Sequence, residues 1–135
     1  MLKNTVTMSL LLAAVIVISG CQDSVESVME DALACTEEVL DILKGVKDKA
    51  TAEAALSDLE DLKGDMEAVK KRMEAITEDM KDASQEEQME MLAEMMTFAE
   101  KGMAAEKAIS AEKRRLQGIP GAEKVLKLVA ELDMD

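Results

Sequence analysis

Between Ala52 and Ala83, apolar residues recur every seven positions in two interleaved series: Ala52, Leu59, Met66, Met73, Met80 and Ala55, Leu62, Val69, Ile76, Ala83. A period of 3.5 residues sustained over a whole segment does not fit a strand. It requires a long α-helix that packs along its length against other helices with a left-handed twist. Thr51 is suited to cap the start of this helix, expected over 52–82. Gly64 falls opposite the seam, where it costs about 1 kcal/mol relative to Ala without disturbing the packed face.

The neighbouring segments read in the same way. A first helix over 23–44 carries Val25, Ala32 and Val39 at one heptad position, Val28, Cys35 and Ile42 at a second, and Met29, Thr36 and Leu43 as flanks. Gly45 suits a left-handed residue that ends it. Ser84 with Glu87 forms a capping box and starts a third helix, 85–117, after a very short turn, so the second and third helices are expected to form an antiparallel hairpin. The third helix has two adjacent apolar series: Met91, Met95, Phe98, Gly102, Ala105, Ile109 and Met89, Leu92, Met96, Ala99, Met103. Gly118, Pro120 and Gly121 break the chain, and 121–132 forms a short amphipathic helix with Ala122, Val125, Leu126, Val129 and Leu132 on one side.

The resulting expectation is an all-α chain, an antiparallel three-helix bundle of coiled-coil style with a short fourth C-terminal helix. At 1.5 Å per residue, the second and third helices reach roughly 45 Å and the first roughly 30 to 35 Å. The fourth helix should therefore fold back over the end remote from the N-terminus and leave the other end less covered.

Composition narrows the chemistry. The 135 residues include no His, Tyr or Trp and a single Phe, which removes imidazole base catalysis, triads built on His, and ordinary zinc or di-iron sites. No cofactor and no catalytic residue is expected, and the chain reads as a non-enzyme. Low aromatic content with high charge is also a mark of disorder. Here 48% of residues are hydrophobic and strictly periodic, which points to folded helices instead. The formal net charge of −13 repels nucleic acid and anionic headgroups.

At the N-terminus, Lys3 precedes an apolar stretch from about Met8 to Ile18, closed by Ile18-Ser19-Gly20-Cys21. The stretch is too short for the roughly 20 residues that cross a bilayer as a helix. The four closing residues resemble a bacterial lipobox. That resemblance implies a signal peptide over 1–20, recognition of Ile18, Ser19 and Gly20 by the processing peptidase, and a diacylglyceryl group on Cys21, the mature N-terminus. Residues 21–135 would then be one acidic helical domain facing the periplasm or the exterior. Gln22 after the Cys implies, by the sorting rule of enteric lipoproteins, the outer membrane. The rest of the chain is similar in style to small, acidic, all-helical bacterial lipoproteins, down to the Ile119-Pro120-Gly121 turn.

Met89, Met91, Met95 and Met96 are the only side-chain cluster with distinctive chemistry. Thioethers bind soft ions such as Cu(I), but Met is also an adaptable filler of cores that lack aromatics, and no metal site is assigned. Cys35 lies in the apolar stripe and reads as a small buried thiol. Lys113, Arg114 and Arg115 end the third helix, where positive charge complements its carboxyl end. The expected function is a membrane-anchored structural or protein-interaction module of the envelope. Its partners would be the membrane, through the lipid, and an envelope protein; homo-oligomerisation is compatible with the seams, and nucleic acid is not expected. The alternative is an extracytoplasmic binding protein whose Met-rich face takes a soft metal ion, an apolar peptide or a lipid.

Overall fold

The computed structural model describes residues 24–132 and contains four helices: α1 Val25–Gly45, α2 Lys49–Asp82, α3 Gln85–Leu116 and α4 Glu123–Leu132. The lipobox residues Ile18, Ser19, Gly20 and Cys21 lie outside it. Among the described residues there is no strand, and no helix is long and apolar enough to cross a membrane.

The expected seam of α2 is the buried one. Ala52, Ala55, Leu59, Leu62, Met66, Val69 and Ile76 are in the core, with Met73 and Met80 partly buried against it. The helix starts earlier than the sequence suggested. Asp48, not Thr51, is the N-cap: its carboxylate accepts from the Thr51 amide at 2.9 Å, and the Thr51 hydroxyl oxygen accepts from the Asp48 amide at 2.9 Å. The bond from the Thr51 amide, and one that the Thr51 hydroxyl donates to the same carboxylate oxygen, stabilise the ionised form and hold the Asp48 pKa below the usual range. The Ser84–Glu87 box forms as expected, and the Gln88 side-chain Nε2 also donates to the Met80 and Ala83 carbonyls, closing the carboxyl end of α2.

The assembly departs from a simple hairpin. α1 packs along both α2 and α3, whereas α2 and α3 touch each other little despite the short turn between them. α1 therefore forms the central element. It runs antiparallel to α2, with Arg72 of α2 paired to Asp31 and reaching the Ser27 hydroxyl, and parallel to α3. α4 lies mainly on α2. Gly121, the one described residue with positive φ, allows a close approach to the start of α2: a Cβ there would sit 3.0 Å from Lys49 Cγ.

Gly45 is not a left-handed cap. It is the last residue of α1, and the chain leaves through an extended Val46. The orphan carbonyls are met from elsewhere, because Arg115 of α3 donates to Val46 O at 2.8 Å and Leu43 O at 2.9 Å, and also pairs with Glu112. The positive end of α3 thus serves the carboxyl end of its neighbour. Arg115→Met should cost about 1–2 kcal/mol, since two charge-assisted bonds are lost while water can reach part of the site. In urea the midpoint should fall with an unchanged slope, and Arg115→Lys should recover only part of the loss.

Candidate functional site

The burial of α3 is uneven. Its buried residues, Ala105, Ile109 and Leu116, all lie in its second half, where α4 helps to complete the core. Of its two apolar series, the one containing Met91, Met95, Phe98, Gly102, Ala105 and Ile109 turns towards the core, with Met91 and Met95 partly buried against it. The other series faces outward: Met89 is 72% exposed, Leu92 49%, Met96 73% and Met103 64%. Ala99 is exposed between them. Single exposed apolar side chains are ordinary, but these succeed one another at heptad spacing along one face of a helix.

This outcome divides the methionine cluster proposed from the sequence. At 100° per residue, Met91 and Met95 project to one side, and Met89 and Met96 to another. The four do not make one surface, and their thioethers do not converge on one point. The surface actually presented is Met89, Leu92, Met96 and Met103, of which Leu92 and Met103 were read from the sequence only as members of a second seam.

A groove of about 730 Å³ opens where α2 and α3 diverge over α1. Its apolar lining includes Val39, Met66, Met73, Ile109, Val129 and Leu132, and Lys70, Glu74, Glu106 and Lys113 border it. The physical cause is a mismatch of length. α4 has 10 residues against 34 in α2, so it fills the fourth position of the bundle over only part of the hairpin. That mismatch was visible in the sequence; the groove floor supplied by α1 was not. A second hollow, lined by Ser24, Val25, Ile76 and Met91, lies where α1 begins; Arg72, Asp79, Asp82, Glu87, Glu90 and Glu94 also line it.

Cys35 is a free thiol in the core. Burial raises its pKa, and the negative charges of Asp65, Glu38 and Asp31 raise it further, so the unreactive protonated form is favoured. Among the described residues, no group of three or more Cys, Asp or Glu side chains is placed to hold a metal ion. No family model matches the chain, and neither a curated protein nor a solved structure is found to be similar to it.

Proposed function

We propose that this chain is a lipid-anchored, non-enzymatic interaction module of the bacterial cell envelope, attached through Cys21 and presenting a coiled-coil-like helical domain to the periplasm or the exterior. Gln22 favours the outer membrane. The observation that carries the interaction reading is the exposed series Met89, Leu92, Met96 and Met103 on α3, a helix already anchored to the bundle by its other face. The absence of His from the whole sequence and the placement of the carboxylates on helix surfaces support a role without chemistry.

A second reading moves the binding site for an apolar peptide from the Met-rich face of α3, where the sequence placed it, to the groove between α2 and α3, whose floor is apolar and whose rim carries both signs of charge. The two readings are separated by changing Met89, Leu92, Met96 and Met103 together to Gln. Because all four are exposed, the helical spectrum should be retained and thermal stability should change little. Membrane fractionation should also be unchanged, while partner crosslinking in the intact envelope is lost. Retained crosslinking would overturn the α3 reading in favour of the groove.

A further inference from the structure

The charge distribution on α3 says what its outward face fits. From Gln85 to Glu100 the helix carries five acidic residues and no basic one; from Lys101 to Leu116 it carries five basic residues and two acidic ones. We infer that the face formed by Met89, Leu92, Met96, Ala99 and Met103 docks a second copy of this chain in the antiparallel direction, giving a two-fold dimer through α3. This deepens the interaction reading above by naming the partner.

A chain of net charge −13 repels its own copies, so self-contact needs a local arrangement that sets acid against base. A parallel pairing of α3 stacks the acidic halves on each other. The antiparallel pairing sets the acidic half of each helix along the basic half of the other, and it also opposes the two helix dipoles. The apolar positions then fix the register. With Met96 opposite Ala99 of the second copy, Leu92 meets Met103 and Met89 reaches the level of Glu106. Beside this seam, exposed Glu86 and exposed Lys107 of the second copy flank the same layer, about 3 Å apart along the axis, and the symmetry repeats the pair. The starts of the two α1 helices lie at opposite ends of the dimer. With both copies anchored in one leaflet, the rod would lie along the membrane.

The test uses the full chain in bacterial cells, with two differently sized tags to identify both copies in a crosslinked band. One version carries Met89→Cys and the other Glu106→Cys; the parent reports any background from Cys21 and Cys35. Oxidation should give a mixed-tag dimer only when the two variants are expressed together. Adding Lys107→Glu to both should reduce its yield several-fold, and adding Glu86→Lys as well should restore it. Crosslinking of Met89→Cys to itself at equal yield would show a parallel pair and overturn the proposal. So would a mixed-tag band insensitive to both charge changes, or no mixed-tag band at all. In the last case, crosslinking of Met89→Cys to a different protein would leave the interaction reading standing, whereas incorporation of a lipid-borne photoprobe at the same face would assign that face to the bilayer.

Discussion

Replacing Cys21 by Ser is expected to abolish incorporation of labelled fatty acid and to leave the precursor unprocessed, whereas Cys35→Ser should change neither. Acylation begins with transfer of a diacylglyceryl group to a thiol, and a serine hydroxyl at the same place is a far weaker nucleophile. The contrast between the two cysteines is informative because the chain has no others and Cys35 is enclosed by the core with its pKa raised. Each acyl chain contributes about 0.8 kcal/mol per buried CH₂; the serine variant lacks these chains but keeps its uncleaved apolar stretch, so it should stay with the inner-membrane fraction and be lost from the outer-membrane one. Metabolic labelling, gel mobility and fractionation read the three effects together. A Cys21→Ser protein that still takes up label would remove the lipobox reading and, with it, the envelope address.

Leu43→Ala should be among the most damaging single substitutions in the helical domain. Leu43 is fully buried near the end of α1, next to the carbonyls that Arg115 holds. Truncating a buried Leu removes apolar contacts and leaves a cavity, at a cost of about 2–5 kcal/mol. For a domain of this size, a loss of about 3 kcal/mol corresponds to a fall in Tm on the order of 10–20 °C. Ile42→Ala is the control. Ile42 is only half-buried, and its truncation should cost less than half as much. Thermal melts followed by circular dichroism compare the two directly; a larger loss at Ile42 would mean that Ile42, and not Leu43, faces the core.

Heptad spacing is a weaker guide to α1 than to α2. A strict heptad reading of α1 put Ile42 in the seam and Leu43 on its flank. The straight α-helix has 3.6 residues per turn, so the apolar face drifts along it, and by the last turn the core receives Leu43 instead. In α2 the two series were regular enough that the buried face was legible throughout. The Ser84–Glu87 box was equally legible, because a capping box is satisfied within four residues. Asp48 was missed as a cap because Thr51, three residues on, is itself a good capping residue, and only the backbone decides which of the two stands outside the helix.

By itself, the sequence determined the all-helical class, close approximations to the four helix ranges, the inner face of α2 and the break at Gly118 to Gly121. Those features depend on periodicity and on hydrogen bonds between near neighbours. The tertiary structure decided which helix is central, which of two equally apolar series on α3 is buried, and that Arg115 closes α1. Each of these depends on groups brought together from distant parts of the chain, as with Val46 and Arg115, 69 positions apart. A helix with two apolar faces can bury either one; the position of α1 made the choice and left Met89, Leu92, Met96 and Met103 on the outside.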